Sequence, residues 1–171
     1  VTLGIDLDTA VMGIAGYSGV DRRFQVKGVC SGFTIIDDYA HHPAEITATL
    51  KAARHYPHKK LWCVFQPHTY TRTKAFLPEF AKALSLADHV ILAKIYSARE
   101  ADIYGVSSAD IQRLIAKEGT PCEYFESFPE IESFIKDNCK EGDVVITMGA
   151  GNILEVGEDL LSPELSTVTA P

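Results

Sequence analysis

The sequence contains no long hydrophobic run. None of its apolar stretches approaches the roughly 18 consecutive residues that a membrane-spanning helix needs. No basic stretch followed by an apolar core and small residues opens the chain, so a secretory leader is not indicated either. We therefore expect a cytoplasmic protein without a membrane span.

Cysteine is sparse and has no metal-site or disulfide pattern. The four cysteines are widely separated and form no CxxC pair: Cys30, Cys63, Cys122 and Cys139. Zinc knots and disulfide frameworks need closer or paired spacing. We expect reduced thiols that are mostly buried and structural.

Basic residues are outnumbered, and a phosphate-binding GxxxxGK[ST] loop is missing. The 16 Lys and Arg residues face 23 Asp and Glu residues, which gives a net charge of −7. A nonspecific nucleic-acid binder would need a basic face. Small anionic ligands remain compatible with this charge, because a local site can oppose the overall sign.

From Phe33 onward, short apolar runs alternate with segments of helical length. The runs are "FTII", "LWCVF", "HVILA", "CEYFE" and "DVVITM". Such alternation predicts an α/β fold of Rossmann-like type, with a mostly parallel sheet of about six strands and helices on both faces. Two short runs around a Gly/Ser turn in "RRFQVKGVCSGF" predict an additional edge hairpin at the N-terminal side.

The intervening segments have helical faces and caps. Apolar residues share one face in two of them: Ile46, Leu50 and Ala53, then Phe76, Phe80, Ala83 and Leu84. Two later segments open with a capping box, Ser107 with Asp110 and Ser127 with Glu130.

Polar, chemically capable residues follow the strands. The strand-to-helix loops read "DDYAHHP", "QPHTYTRT", "KIYSAREADIYG" and "MGAGN". In a parallel sheet these loops share the carboxyl edge, where open α/β sheets bind ligands. We therefore predict a ligand crevice at this edge.

The loop "DDYAHHPAE" has a structural and a functional interpretation. Pro43 suits the first helical turn, and an Asp or His before it could be only a cap. A cap uses one acceptor, whereas the first six positions of the loop offer two carboxylates, a phenol and two imidazoles. A metal site from His41, His68 and Asp38 is disfavoured because no pair has HxxxH spacing.

The loop "QPHTYTRT" contains a predicted cap and an additional arginine. Thr71 or Thr73 is expected to cap the following helix. Arg72, just ahead of a helix N-terminus, could hold a carboxylate or phosphate by its guanidinium fork, or be a solvated surface charge. "MGAGN" is a weak glycine signal for anion binding. Arg22 and Arg23 are expected to be a solvated pair beside the crevice.

Five ordered motifs together resemble the Mur ligase family: "GVDRRFQVKG", "IIDDYAHHPAEI", "VFQPHTYTRT", "IYSAREADIYGVSS" and "MGAGNI". The resemblance implies an ATP-dependent amide ligase of peptidoglycan precursor synthesis, and places this chain at its C-terminal, Rossmann-like, amino-acid-binding domain. It implies L-alanine, UDP-N-acetylmuramate and ATP as substrates, with Mg²⁺ bound mainly by a central domain that is not included in this sequence.

The resemblance also implies domain limits. Residues 1–19 resemble the tail of the central ATPase domain and the hinge, 20–161 the C-terminal domain, and 162–171 a flexible tail. In the full-length enzyme this domain would pack on the N-terminal and central domains.

Site roles follow from the same resemblance. His41 and Arg72 are expected to be catalytic, and Arg23 and Asp38 to bind the nucleotide. The expected substrate-binding residues are Tyr39, His41, His68, Arg72, Arg99 and Asn152. Some family members carry an arginine where this chain has Thr69, so carboxylate binding here depends more on Arg72.

Three alternatives remain open. A murein tripeptide ligase of cell-wall recycling has a similar "DDxAHHP" loop. A nucleotide-binding module without chemistry and a metal hydrolase built on the His/Asp cluster belong to other classes. We expect the fragment alone to be inactive, because the motifs for phosphoryl transfer are absent.

Overall fold

The computed structural model describes residues 4–15 and 19–162. The predicted hinge is thus described only in part, and the predicted tail lies outside the described residues except for Ser162. Within the described ranges, no helix is both long and apolar enough to cross a bilayer.

A six-stranded sheet forms the centre of the fold. Its strands are β1 (Gln25–Cys30), β2 (Phe33–Asp38), β3 (Leu61–Phe65), β4 (His89–Leu92), β5 (Cys122–Tyr124) and β6 (Val144–Met148). They lie in the order β1-β2-β6-β3-β4-β5. β1 pairs with β2 in antiparallel fashion, and all other pairs are parallel. This confirms the predicted fold and the edge hairpin.

Helices cover both faces of the sheet. They are α1 (Leu7–Ala15), α2 (Pro43–Ala53), α3 (Tyr70–Ala75), α4 (Leu77–Leu84), α5 (Ser108–Lys117), α6 (Phe128–Asn138) and α7 (Leu154–Leu161). One core places α2, α4 and α5 against the sheet, with Leu50, Phe80 and Ile111 fully buried. The other core places α6 and α7 against the opposite face, with Ile135 and Val156 fully buried.

The direction of winding reverses after β5. The chain runs outward through β3, β4 and β5, and then returns to insert β6 between β2 and β3. Because βαβ crossovers are right-handed, the returning helix α6 must lie on the face opposite α5. The reversal places the topological switch point of the sheet at the carboxyl ends of β2, β6 and β3, where this class of sheet binds ligands.

The predicted helix after β3 is broken. α3 ends at Ala75 and α4 begins at Leu77, with Phe76 between them at φ −122° and ψ 25°. Pro78 causes the break, because proline lacks the amide hydrogen of the helical ladder and its ring clashes with the preceding turn. The two predicted capping boxes, at Ser107 and Ser127, are confirmed.

The cysteines fit the structural interpretation. All are free thiols, with Cys63 and Cys139 buried and Cys30 and Cys122 half-buried. Burial raises the pKa of the Cys122 and Cys139 thiols to about 12.

Candidate functional site at the carboxyl edge of the sheet

Arg22 ties the segment before β1 to the loop after β6. Its Nε donates to Asp37 Oδ2 at 2.9 Å. Its Nη2 donates to the Gly149 carbonyl at 2.7 Å, and its Nη1 to the Gly151 carbonyl at 3.3 Å. The expectation of a solvated Arg22 is therefore wrong, because its guanidinium is held by three acceptors.

The two carboxylates that end β2, Asp37 and Asp38, are buried and accept hydrogen bonds from different partners. Asp37 accepts from Arg22 and from Thr147 Oγ1, the latter at 2.8 Å. Asp38 accepts from the backbone amides of Phe24 at 2.9 Å and Ala40 at 2.8 Å. Asp38 therefore holds the segment that leads into β1 against the loop that follows β2.

Tyr39 lies between two arginines. Its backbone amide donates to the Arg22 carbonyl at 2.7 Å. The guanidinium carbon of Arg22 lies 4.9 Å from the Tyr39 ring centroid, and that of Arg23 lies 5.8 Å from it. Arg23 is exposed, as expected, so this edge presents an exposed cation and a half-exposed phenol side by side.

The adjacent histidines have different roles. His42 is the N-cap of α2, and its Nδ1 accepts from the Ala44 amide at 3.3 Å. The backbone amides of His41 and His42 both donate to Glu45 Oε2. Burial raises the pKa of Glu45, but these amides and the nearby charges of His41 and Arg23 outweigh it and leave that pKa lowered. The cap uses the His42 ring. The His41 ring instead lies with its Nδ1 3.0 Å from the Tyr39 carbonyl and 3.5 Å from Glu45 Oε2.

His41 and His68 meet across the crevice. Their ring centroids are 6.1 Å apart, and His41 also contacts the Tyr39 ring edge at 5.4 Å. His68 stacks on Tyr96 at 5.5 Å, and a parallel bridge joins the two residues. The loops after β2, β3 and β4 thus converge on one aromatic, imidazole-rich surface.

Arg72 lies within α3 and is not ahead of it, which corrects the expectation. The cap is Thr69, not Thr71 or Thr73: its Oγ1 accepts from the Arg72 amide at 3.4 Å. Glu100 occupies the amino end of α3, where its Oε2 accepts from the Thr71 amide at 2.9 Å. The Glu100 carboxylate therefore occupies the amino end of α3. A bound anion would have to be held by side chains and not by the backbone amides of this helix end.

Two buried nitrogens of this loop have no hydrogen-bond partner among the described residues, Nδ1 of His68 and Nη1 of Arg72. Burial lowers the pKa of His68, and the charges of Arg72 and His41 lower it further. This lowered pKa favours the neutral form of the His68 imidazole. Arg72 keeps its charge, so the loop combines one neutral and one cationic group with unused hydrogen-bonding capacity.

Asn152 belongs to a chain of polar side chains between the β3 and β6 loops. Its Nδ2 donates to Glu155 Oε2 at 3.1 Å, and its Oδ1 accepts from Gln66 Nε2 at 3.2 Å. This arrangement turns Gln66 Oε1 toward Gly151, where it is buried without a partner among the described residues. A side chain at position 151 would collide with Gln66 and Tyr96, which explains the glycine.

Arg99 is not joined to the other predicted site residues. It is exposed, with φ 78°, and within the described ranges it has no hydrogen-bond or ion-pair partner. The metal alternative is also unsupported, because no group of three His, Cys, Asp or Glu among the described residues could hold an ion.

The site therefore unites Arg23, Tyr39, His41, His68 and Arg72, with Asn152 on its flank. Sequence reasoning assigned no individual site role to five residues that build this site, although it counted Asp37 among the two carboxylates of its loop: Arg22, Asp37, Gln66, Tyr96 and Glu100. Gln66 carried a usable signal: it is a polar residue directly after a strand in which every position is apolar.

Taken together, the reversed winding and this convergence of loops define an open α/β ligand-binding domain. The chain belongs to the family described as "Mur ligase, glutamate ligase domain", whose match extends over residues 22–151.

Relatives with similar sequences come from several bacteria. The chain is 59% identical over 160 residues to a UDP-N-acetylmuramate–L-alanine ligase of Agathobacter rectalis, covering 94% of this chain and 35% of that protein. It is 55% identical over 159 residues to a ligase of the same name from Lachnospira eligens, covering 93% of this chain and 35% of that protein. The chain thus spans about a third of the length of these relatives.

A solved structure has the same fold. The UDP-N-acetylmuramate-alanine ligase of Thermotoga maritima superposes with a TM-score of 0.75 at 29% identity. The match covers 93% of this chain and 33% of that one.

Proposed function

We propose that this chain is the amino-acid-binding domain of an ATP-dependent ligase that joins L-alanine to UDP-N-acetylmuramate. The names of its relatives and its membership of the family support this assignment. Because ATP and nucleotide sugars are cytoplasmic substrates, the reaction would take place in the cytoplasm.

The observation that carries the proposal is the pair of unpartnered nitrogens at His68 and Arg72, found among the described residues. Leaving a buried donor without an acceptor costs about 1–3 kcal/mol, more if it is charged. A carboxylate that accepted from Arg72 Nη1 itself, after a small adjustment of the loop, would relieve this cost. Arg72 would hold the alanine carboxylate by its planar fork, and neutral His68 would lie beside it.

The nucleotide side would be formed by Arg23 and Tyr39. Arg23 is an exposed cation beside a half-exposed aromatic ring, which suits phosphate oxygens or the ribose. Asp38 would act mainly by holding the backbone of Phe24 and Ala40, since its carboxylate already accepts two amides.

The reaction needs two steps. The carboxylate of the lactyl group of UDP-N-acetylmuramate accepts the γ-phosphoryl group of ATP, which gives an acyl phosphate and ADP. The alanine amine then attacks the acyl carbon, and the tetrahedral intermediate expels phosphate and forms the amide. His41, whose ring faces His68 across the crevice, would lie at the reacting end. Holding the amine in the correct orientation can lower the activation barrier by on the order of 7 kcal/mol in well-oriented systems.

Mg²⁺ would be bound mainly by the central domain outside this sequence, as the family resemblance implies, and by the phosphates of ATP. When bound, it neutralises charge on the phosphates of ATP. The phosphoryl-transfer step accordingly depends on parts of the ligase outside this sequence.

The test is ADP release by the full-length ligase with UDP-N-acetylmuramate and ATP. L-alanine, glycine, L-serine and the murein tripeptide are compared as nucleophiles. Preference for L-alanine is the expected result. Preference for the tripeptide would transfer the protein to cell-wall recycling, and no release with any nucleophile would favour a binding module. Hydrolytic activity of the isolated 171-residue chain that a chelator abolishes would favour the hydrolase alternative.

The matched variants are Arg72→Ala and Arg113→Ala. Arg72→Ala should raise the KM for alanine, because a contact that binds the alanine carboxylate is lost. It should also lower kcat, because the amine is then less well oriented. Arg113 pairs with Asp110 on the exposed face of α5 and should leave both constants unchanged. An unchanged alanine KM in Arg72→Ala would remove Arg72 from the site.

A further inference from the structure

We propose that Arg22 is a positioning residue for the nucleotide half of the site. It fixes the segment before β1 onto the β6 loop, and thereby sets the place of its neighbour Arg23 beside Tyr39. The inference rests on the proposed function for the identity of the nucleotide as ATP. The geometry from which it is argued does not depend on which amino acid the ligase uses as its substrate.

The anchor for Arg22 spans two neighbouring strands. Asp37 at the end of β2 is 1% exposed and receives the Arg22 Nε at 2.9 Å. Thr147 of β6 donates to the other oxygen of the same carboxylate at 2.8 Å. Asp37 is thus held by the sheet itself, so the guanidinium that it orients has a rigid support.

The other two contacts of the guanidinium reach the loop after β6. The Gly149 and Gly151 carbonyls accept from its two terminal nitrogens, across 127 and 129 positions of sequence. The Gly149 amide donates to the Asp38 carbonyl at 3.1 Å, which closes the connection between the β2 and β6 loops. Three segments that are distant in sequence therefore meet at one side chain.

The backbone at Arg22 indicates that its conformation is imposed. Its φ of 58° lies in the left-handed region, as does that of Phe24 at 47°. Such conformations cost on the order of 1–3 kcal/mol and persist when the surrounding contacts determine them. Here the Arg22 amide donates to Gln25 Oε1 and its carbonyl accepts from Tyr39, so the segment is fixed on both sides.

The anchored backbone of Arg22 determines where the neighbouring residue Arg23 lies. This residue is exposed. Its guanidinium carbon lies 5.8 Å from the Tyr39 ring centroid, and its charge also lowers the pKa of Glu45. An exposed arginine has many rotamers, and a segment that moved would carry its guanidinium away from the crevice. Arg22 limits that freedom in the backbone, so that Arg23 presents its charge beside Tyr39.

Lysine cannot reproduce this arrangement. A guanidinium donates in three directions within one plane, to Asp37, Gly149 and Gly151, whereas an ammonium is a single point of charge on a flexible stem. Arg22→Lys keeps the charge and loses the geometry. It therefore separates a positioning role from a purely electrostatic one.

The protein offers a matched control at the opposite edge of the sheet. Arg54 donates from Nε and Nη2 to the Leu86 carbonyl, at 3.0 and 2.8 Å, and from Nη1 to Asp88 at 2.8 Å. It is the same kind of clamp, joining a carboxylate and a backbone carbonyl, but it lies at the amino end of β4. Arg54→Lys should lower stability without affecting the site.

The experiment uses the full-length ligase with Arg22→Lys, Arg22→Gln and Arg54→Lys. The KM values for ATP and for alanine, kcat, the thermal midpoint and the ATP dissociation constant are measured for each. We expect the Arg22 variants to raise the KM and dissociation constant for ATP about tenfold or more, because a displaced Arg23 would lose its charged hydrogen bonds to the nucleotide. The KM for alanine should change much less.

The outcomes separate this proposal from the proposed function. Equal changes in the two KM values, unchanged ATP binding, or the same effect in Arg54→Lys would overturn the positioning role. If the wild-type enzyme prefers a nucleophile other than alanine, the proposed function fails, while the ATP dissociation constants still decide the role of Arg22. If an Arg22 variant does not fold, the other variant provides the measurement, and failure of both would show a structural role instead.

Discussion

Arg72 opposes the protonation of His68, the imidazole that precedes α3. Burial is the larger reason for the lowered pKa of His68, and the Arg72 charge acts in the same direction. A neutral imidazole and a permanent cation are therefore placed side by side at the crevice.

Arg72→Met should raise the pKa of His68, because it removes a nearby positive charge. The pKa should still lie below the ordinary histidine value of about 6.5, since burial remains. An NMR titration of the His68 ring measures the midpoint. Arg113→Met, remote from the site, should leave that midpoint unchanged; an identical shift in both variants would contradict the local explanation.

The same lowered pKa predicts how pH acts on stability. In the unfolded chain His68 takes up a proton near about pH 6.5, whereas in the folded chain it does so only at lower pH. Stability contributed at this site is complete above the unfolded pKa and is lost as the pH falls toward the folded pKa. His68→Asn should reduce the slope of unfolding free energy between the unfolded and folded midpoints, measured by urea unfolding. An unchanged slope would refute this.

Thr69→Gly should raise stability by about 1 kcal/mol, because Thr69 has φ 68° and ψ 144°, a region that glycine occupies easily. Replacing an N-cap by glycine costs only a few tenths of a kcal/mol. The alanine KM should nevertheless rise, since Arg72 is held less firmly. Ser31→Gly relieves a similar conformation, φ 47°, in the β1–β2 turn and should stabilise without changing the KM. Thermal unfolding and steady-state kinetics check both.

The neighbouring histidines provide a sharp comparison. His42→Ala removes the cap of α2 and should cost about 1 kcal/mol of stability, which His42→Asn should restore. His41→Gln preserves the backbone contacts to Glu45 and should change stability little, while lowering kcat on the order of a hundredfold. Comparable kinetic losses in His41→Gln and His42→Ala would show that His41 has no special role.

Gly151→Ala should destabilise by about 1–3 kcal/mol, because the new methyl group meets the Gln66 amide and the Tyr96 ring. Gly13→Ala in α1 provides the comparison, since no described atom lies within 4 Å of its added carbon. A helical alanine should be neutral there or stabilise by up to about 1 kcal/mol. Unfolding free energies measure both variants. A Gly151→Ala protein as stable as Gly13→Ala would mean that the loops after β3 and β6 can separate freely.

The sheet was predictable because strands buried on both faces read as continuous apolar runs, as in β3 and β6. The position of the strand-to-helix loops at the carboxyl edge of the sheet could be predicted from the topology. The same argument predicted that His41, His68 and Arg72 lie on one edge. Arg22 was not predictable, since two of its three partners lie 127 and 129 positions away and its charge favoured solvent. Thr69 was missed because its cap depends on a positive φ, which sequence pattern does not give. The helix break could have been predicted, because Pro78 is visible in the sequence.

The roles assigned to individual side chains stay predictions. Arg99 in particular is separated from the cluster, and Asp38 is engaged with backbone amides. The family resemblance named both residues, but the described contacts connect only Asp38 to the site framework.

The central position of β6 has a consequence for synthesis of the chain. β2 and β3 both pair with β6 and not with each other. Until residues 144–148 have left the ribosome, two hydrophobic strand edges are without their partner, a state that favours aggregation. Among the described residues, the strand that is made last is therefore the one that completes the sheet, and the edge formed by the β2, β6 and β3 loops can exist only after it has been inserted.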